Sequence, residues 1–228
     1  MVAGRQDQEE NKRNPKNSKM KKAKCKICRR AKTKLFLKGD KCTSPKCPMV
    51  VKPYAPGVQG KRTKGFLSEY GVQLRETQKL RQWYNLKEGS LKKYVRNVLT
   101  KRGKVEDAQS LLIQNLEKRL DNVVYRLGFA VSRIEARQLV THGHFLINGK
   151  KNNIPSCSVK NGDVISLKES SKKRKIFQEA IAKLSKSQLP GWLKLDIKKL
   201  EGTVMGDPSL GDVTIPVEIS SIFEFYSR

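Results

Sequence analysis

The sequence predicts an α+β chain, and three observations carry that reading. Apolar residues recur at spacings of three and four between Leu67 and Leu127, the period of helices with one buried face. Asn148-Gly149 and Asn161-Gly162 follow or precede short apolar runs, the pattern of tight turns between strands. Four of the five cysteines fall within residues 25–47, in a stretch too poor in apolar side chains to order itself.

The charge balance narrows the function. The 228 residues carry 49 Lys and Arg against 21 Asp and Glu, a net charge of +28. Such a chain repels itself and calls for a polyanionic partner, with nucleic acid first and a membrane surface second. The membrane is set aside because no amphipathic helix pairs a large apolar face with the charge, and no apolar run approaches the ~18 residues of a spanning helix. The N-terminus lacks an apolar signal region and carries Asp7, Glu9 and Glu10, unlike a secretory signal or an acid-poor transit peptide. A soluble protein of a reducing compartment, where disulfides do not persist, is expected.

Taken in order, residues 1–24 are polar and rich in Lys, Asn and Gln, and are expected to be a disordered basic tail. Lys12 to Lys52 holds 16 Lys or Arg and a single acid, Asp40. Residues 53–65 contain two Pro and three Gly and read as irregular. Ser68 is a candidate N-cap for a helix over 69–84, with Leu67, Tyr70, Leu74 and Leu80 expected on its inner face. A second helix is expected over 90–103, with Leu91, Tyr94, Val95, Val98 and Leu99 apolar and Gly103 at its end. Residues 111–129 give the strongest helical signal, with Leu112, Leu116, Leu120, Val123, Val124 and Leu127 on one face. Ser132 and Glu135 form a capping box for a further helix, whose inner face is Ile134, Leu139 and Val140, and Gly143 suits its end. Residues 144–151 read as a strand entering an Asn-Gly turn, and 163–167 as a short strand. Residues 172–185 read as another helix. Beyond Pro190 the segments 199–206, 212–219 and 221–228 read as strand-like.

The cysteines are spaced C-x2-C-x13-C-x4-C at Cys25, Cys28, Cys42 and Cys47. Two close pairs separated by a loop suit a tetrahedral ion, and four thiols leave no place for a catalytic water. A closed structural zinc site is expected, with an iron–sulfur cluster, free thiols and disulfides as the other outcomes. Lys24, Lys26, Arg29 and Arg30 flank the first pair, where cations lower thiol pKa values and offset the charge of a tetrathiolate. Sites of this size contribute about 10–16 kcal/mol of apparent binding free energy at pH 7, much of it used in folding. Cys157 reads as a packing residue.

In residues 132–144, Arg133, Arg137 and His142 (or His144) are expected to project opposite Ile134 and Leu139, with Lys150 and Lys151 following the Asn-Gly turn. Guanidinium groups match phosphate oxygens and Lys adds point charge. An ordinary solvated helix face is the other reading of this segment. No nucleophile with an acidic orienting partner, no Walker-type loop and no paired carboxylates are recognisable, so an enzyme is not expected.

Residues 119–167, RLDNVVYRLGFAVSRIEARQLVTHGHFLINGKKNNIPSCSVKNGDVISL, resemble the small RNA-binding module of the S4 type. That module also occurs in pseudouridine synthases, some tRNA synthetases and small heat-shock RNA-binding proteins. The flanks CKICRRAKTKLFLKGDKCTSPKC, PYAPGVQGK, SEYGVQLRETQKLRQWY and WLKLDIKKLEGTV, with the terminal EFYSR, are similar to the bacterial ribosomal protein S4 family, in its zinc-binding four-cysteine form. The resemblance spans about residues 24–228. It implies a mainly helical, discontinuous domain with an N-terminal zinc-binding segment, and an inserted small α/β RNA-binding module of helix-turn-helix and short strands. The expected divisions are 1–24 as tail, 25–115 as the N-terminal zinc-binding and helical domain, 116–180 as the module, and 181–228 as a C-terminal helix and strands packing back on the N-terminal domain.

The resemblance further implies early binding of 16S-type ribosomal RNA at a helix junction, organisation of the small-subunit body, and an influence on decoding accuracy. It implies contact with small-subunit protein five, a place near the channel where messenger RNA enters, and in some bacteria repression of the protein's own operon. A small-molecule substrate is not implied. The candidate RNA contacts are Lys24, Lys26, Arg29 and Arg30 beside the cysteines, Lys61 and Arg62 in the irregular segment, Arg75, Lys79 and Arg81 on the first long helix, and Arg133, Arg137, His142, Lys150 and Lys151 on the module. The rival readings are a stand-alone RNA-binding factor and an RNA-modifying enzyme. The chain departs from the family in its long Lys/Asn-rich tail, in Val58-Gln59, in Cys157, and in the segment GDPSLGDVTIPVEISSIF.

Overall fold

The computed structural model describes residues 24–58, 60–62, 65–101, 107–184 and 189–228. The expected tail falls almost wholly outside them, as do Gln59 and Gly103.

Helix α1 covers 24–31 and carries the first two cysteines. Two single-turn helices follow, α2 (Asp40–Thr43) and α3 (Pro48–Val51). The long helix α4 (Glu69–Trp83) starts where expected, with the Gly71 amide donating to the Ser68 hydroxyl at 3.3 Å. Its buried side is the expected one only in part: Leu80 is fully buried and Leu74 half-buried, as expected. Gln73, Thr77, Leu80 and Trp83 face inward, while Leu67 and Tyr70 are exposed. Gln73 is tolerated there because its amide donates to Glu69 and Glu224 at 3.0 Å each, and buried polar groups persist when paired. Helix α5 (Glu88–Leu99) buries Leu91, Val95 and Val98, close to expectation.

The expected continuous helix over 111–129 is two helices, α6 (Ala108–Glu117) and α7 (Leu120–Arg126). The break has a local cause. The Lys118 carbonyl accepts from the Val159 amide at 2.8 Å, and the Leu120 amide donates to the Cys157 carbonyl at 2.8 Å. Arg119 is therefore extended and pairs with Ser158 in an isolated bridge. A distant segment competes for the backbone groups that would continue the helix.

Helix α8 (Arg133–Thr141) shows the expected capping box: the Glu135 amide donates to Ser132 Oγ at 3.3 Å, and Glu135 Oε2 accepts from the Val131 amide at 3.0 Å. The strands β1 (Phe145–Ile147) and β2 (Lys150–Lys151) flank the Asn-Gly turn, and β3 (Val164–Leu167) pairs with β1 with Ile147 opposite Ile165. Asn148 and Gly149 both have positive φ, as a two-residue type I′ turn requires. The expected helix near 172–185 is a single turn, α9 (Glu169–Lys172), and then α10 (Lys175–Leu184).

The last segments depart most from expectation. Strands β4 (Leu193–Asp196) and β5 (Glu201–Val204) join the module's sheet, with β5 antiparallel to β3. The sheet is five-stranded and antiparallel throughout, in the order β2-β1-β3-β5-β4. These two strands therefore lie in the module rather than back on the N-terminal helices. Residues 212–218 form no strand, and the final segment is a helix, α11 (Ile219–Ser227). Its apolar residues Ile219, Ile222, Phe223 and Tyr226 fall at helical spacing, and Ile222 and Phe223 are buried against α4 and α5.

Two apolar cores result. One gathers Leu35, Leu37, Leu80, Leu91, Val95, Leu112, Leu116 and Ile222. The other lies between the sheet and helices α7, α8 and α10, and contains Leu127, Leu139, Phe129, Phe145 and Phe177. Gly202 on β5 admits Leu127 so closely that an added Cβ would stand 2.4 Å from it. Ile222→Ala should cost about 2–5 kcal/mol, the usual range for truncating a fully buried aliphatic side chain; urea unfolding of the full chain measures it, and a neutral result would show that α11 does not complete the first core.

Candidate nucleic-acid interface

A buried polar network joins the two cores. Glu117, at the end of α6, is 0% exposed. Its Oε1 accepts from the Tyr84 hydroxyl at 2.6 Å and from Arg126 Nη2 at 2.9 Å. Its Oε2 accepts from Arg126 Nε at 2.9 Å and from Asn122 Nδ2 at 2.7 Å. Asn122 Oδ1 in turn accepts from Arg133 Nε at 2.8 Å. Burial alone would push the Glu117 carboxyl up, but the paired Arg126 guanidinium outweighs it and the net shift is downward. The same contacts push the Tyr84 hydroxyl well above its ordinary value, burial being the largest cause.

Arg133 corrects the sequence reading. It does not project towards solvent: it is 8% exposed and its guanidinium stacks 4.8 Å from the Trp83 ring, 5.3 Å from Tyr84 and 4.5 Å from Tyr125. Its Nη2 lacks a hydrogen-bond partner; the aromatic faces substitute for one through cation–π attraction. Helix α8 contributes this cation to the seam between cores, a role that period alone does not reveal.

Arg137, one turn on, remains accessible at 38% side-chain exposure and is oriented by Asp121, 3.5 Å away. Asp121 also accepts from Arg119 at 3.1 and 2.8 Å, and Arg119 Nη1 donates to the Tyr94 hydroxyl at 2.8 Å. A chain of contacts from α5 to α8 thus holds Arg137 in place. His142, Lys150 and Lys151 are exposed. Gly143 brings Lys151 against the end of α8, because a Cβ there would meet Lys151 Cε at 2.5 Å. His144 is the inward histidine: Arg174 Nη1 lies 3.4 Å from Nε2 and Ser171 Oγ 2.9 Å from Nδ1. With Nε2 accepting from Arg174, Nδ1 carries the proton. Burial, then Arg174, His142 and Lys168, hold its pKa below the ordinary value.

On the N-terminal side, Arg29 donates to the Tyr54 carbonyl at 2.8 Å and lies over the Tyr54 ring, with Lys61 over the same ring. Lys26, Arg30, Lys61 and Arg62 are exposed and Lys24 is half-buried. Lys79 and Arg81 are drawn partly aside by Glu76 and Glu88, at 2.6 and 3.6 Å. Arg75 meets no acid among the described residues. A groove of about 370 Å³ runs between α1 and α4, lined by apolar Ile27, Ala31 and Leu74 and by cationic Arg30, Arg75, Lys79 and Arg81. Gln78 and Gln82 also line it, and sequence reading missed both. Their spacing of four on the helix that bears Arg75 and Lys79 was the available signal.

The four cysteines of the expected zinc site line one small cavity, with Leu37, Lys38 and Met49. The Lys38 amide donates to Cys42 Sγ at 3.4 Å. Burial, and then the neighbouring Cys42, Cys25 and Cys47, push the Cys28 thiol up. All four are free thiols, and among the described residues no three His, Cys, Asp or Glu side chains are arranged to hold a metal ion. The donors share a cavity, but they are not drawn together as a ligand set. No helix among the described residues is long and apolar enough to cross a membrane.

Comparison with known proteins places these features. The model of the ribosomal protein S4/S9 N-terminal domain matches residues 19–117, and that of the S4 domain matches residues 118–165. The two together define a protein built on an S4-type domain behind a ribosomal N-terminal domain. Small ribosomal subunit protein uS4 of Thermotoga petrophila is 45% identical over 205 residues, covering 90% of this chain and 96% of that protein. The uS4 proteins of Anaeromyxobacter sp. strain Fw109-5 and Acetivibrio thermocellus are 46% identical over 204 and 206 residues, each covering 90% of this chain, and 96% and 97% of the respective relative. The chain belongs to the ribosomal protein uS4 family.

Glu117→Gln should cost about 3–5 kcal/mol at pH 7, since it leaves the Arg126 charge without its buried partner. The folded carboxyl titrates below its ordinary value of 4.5. Its contribution is therefore complete above that value and is lost as pH falls below it. Urea midpoints taken from pH 7 down to 3 should show the gap between wild type and variant narrowing on the acid side; a gap independent of pH would remove Glu117 as the ionised centre of the seam.

Proposed function

We propose that this chain is a structural, non-enzymatic component of the small ribosomal subunit that binds 16S-type ribosomal RNA early in assembly and organises the subunit body. The observation that carries this reading is the basic surface divided between two cores that one buried network locks together. Lys26, Arg30, Arg75 and Arg62 lie on one side of the seam, and Arg137, His142, Lys150 and Lys151 on the other. A folded RNA that touches both sides is held in one arrangement, and phosphate and shape contacts dominate such recognition. The relatives are named as small-subunit proteins and match over nearly their whole length, which favours a subunit component over a stand-alone RNA-binding factor. Contact with small-subunit protein five, a position near the messenger channel, an effect on decoding accuracy and repression of the protein's own operon belong to the same reading.

The cysteine cavity completes the proposal as a structural zinc site. Cys25, Cys28, Cys42 and Cys47 would hold the ion, and zinc would fix α1 to α2 and the residues on either side of it. The cavity and the donor chemistry support this; the fit is chemical rather than geometric. One zinc per chain is expected by metal analysis of protein purified under reducing conditions, and chelation should expose residues 24–51 to protease. A metal-free preparation with intact protection there would overturn the assignment.

Neutralising Arg137, Lys150 and Lys151 together with Gln should weaken binding to small-subunit RNA and reduce the log–log salt slope by roughly two to three, at about 0.7–0.9 per phosphate contact. Arg133→Lys, by contrast, should lower stability through the lost aromatic stacking and leave the salt slope of the folded protein unchanged. Filter binding across a salt series reads both. An unchanged slope in the triple variant would displace the interface from the module's basic edge.

A further inference from the structure

We infer that the groove between α1 and α4 is a base-reading pocket that takes one unpaired nucleotide of the bound RNA. The inference rests on the RNA-binding reading above and deepens it, because phosphate contacts alone carry no sequence information.

Four features meet in this groove. Its volume of about 370 Å³ lies within the ~300–1,000 Å³ of small-ligand sites, whereas a duplex needs a broad open surface. Ile27, Ala31 and Leu74 give its lining apolar surface, as an unstacked base requires when it leaves its neighbours. Its lining also carries cations, and neither Arg30 nor Arg75 is neutralised by an acid among the described residues. Guanidinium planes stack on bases as well as pairing with phosphates. Lastly, Gln78 and Gln82 present side-chain amides that have no hydrogen-bond partner among the described residues. An amide offers two donors and an acceptor, the complement of a base edge. Cations beside apolar lining residues favour an anionic chain with flat apolar faces over a neutral apolar peptide helix. Single-stranded loops and bulges are where RNA exposes such units.

Gln78 and Gln82 are half-buried on the outer side of α4, and Ala is the best helix former, so the double Gln78→Ala/Gln82→Ala variant should fold as wild type; its circular dichroism and urea midpoint check this. Binding would be measured on a small-subunit RNA fragment and on a set of single-nucleotide replacements at its unpaired positions. Wild type should discriminate at one such position by about fivefold or more, as one well-placed amide–base pair implies. The double variant should lose that discrimination and keep the wild-type salt slope. A photocrosslinker placed at Gln78 in the assembled subunit should attach to the same nucleotide. The inference is overturned if wild type discriminates at no unpaired position, if the variant keeps the same preference, or if the crosslink goes to a protein. Failure of wild type to bind the fragment at all would instead sink the RNA-binding reading on which the groove depends.

Discussion

The junction of the two cores is organised around one fully buried carboxylate. Glu117 lies where the first core ends and the second begins, and it satisfies partners from both. Removing a carboxylate from water is costly, and the cost is tolerable only when every oxygen lone pair is engaged. Tyr84, Asn122 and the doubly donating Arg126 engage them. Arg133 adds a buried positive charge beside the half-buried Arg126, held by Trp83, Tyr84 and Tyr125 through their ring faces. Apolar contact would also have joined the cores, but it is non-directional. A hydrogen-bonded ionic network is directional, and this one ties residues of the helical part to residues of the module.

The relation between the two bodies bears on the proposed function because the basic surface is divided between them. The cations of α1, the 53–62 segment and α4 stand on one body, and those of α8 and the β1–β2 turn on the other. Neither body needs a deep cavity to hold a polyanion; each needs its charges at a fixed spacing. The contacts from Tyr94 through Arg119 and Asp121 to Arg137 serve the same end at smaller scale. An acid beside a surface arginine lowers its net attraction for phosphate, yet it removes much of the side chain's rotamer freedom before binding.

Much of the fold was legible in the residues. Ser68, and Ser132 with Glu135, marked helix starts that the backbone confirms, and Asn148-Gly149 marked its turn, because caps and primed turns are decided by atoms within four residues. The inner face of α5 followed from spacing. The failures share a cause. The 111–129 stretch has the period of one helix, but residues 155–159 take its backbone hydrogen bonds at Lys118 and Leu120. The terminal ISSIFEFYS is rich in β-branched and aromatic residues, yet it is helical because α4 and α5 offer a groove for Ile222 and Phe223. On α4 the buried side follows Gln73 and Thr77 rather than Leu67 and Tyr70, because Glu224 arrives from the far end of the chain to satisfy the glutamine.

The same division separates the site residues. Composition and short spacing by themselves pointed to a polyanionic partner, placed four thiols near the N-terminus, and fixed which segments carry the cations, since charge and local pattern are properties of the residue order alone. Only the tertiary structure decided which cations face out. Arg133 and Arg137 are one helical turn apart and alike in sequence terms, yet one is caged by three aromatic rings and the other reaches solvent. That outcome is set by Trp83, Tyr84 and Tyr125, residues brought to α8 by the packing of two cores, and no periodicity within α8 encodes them.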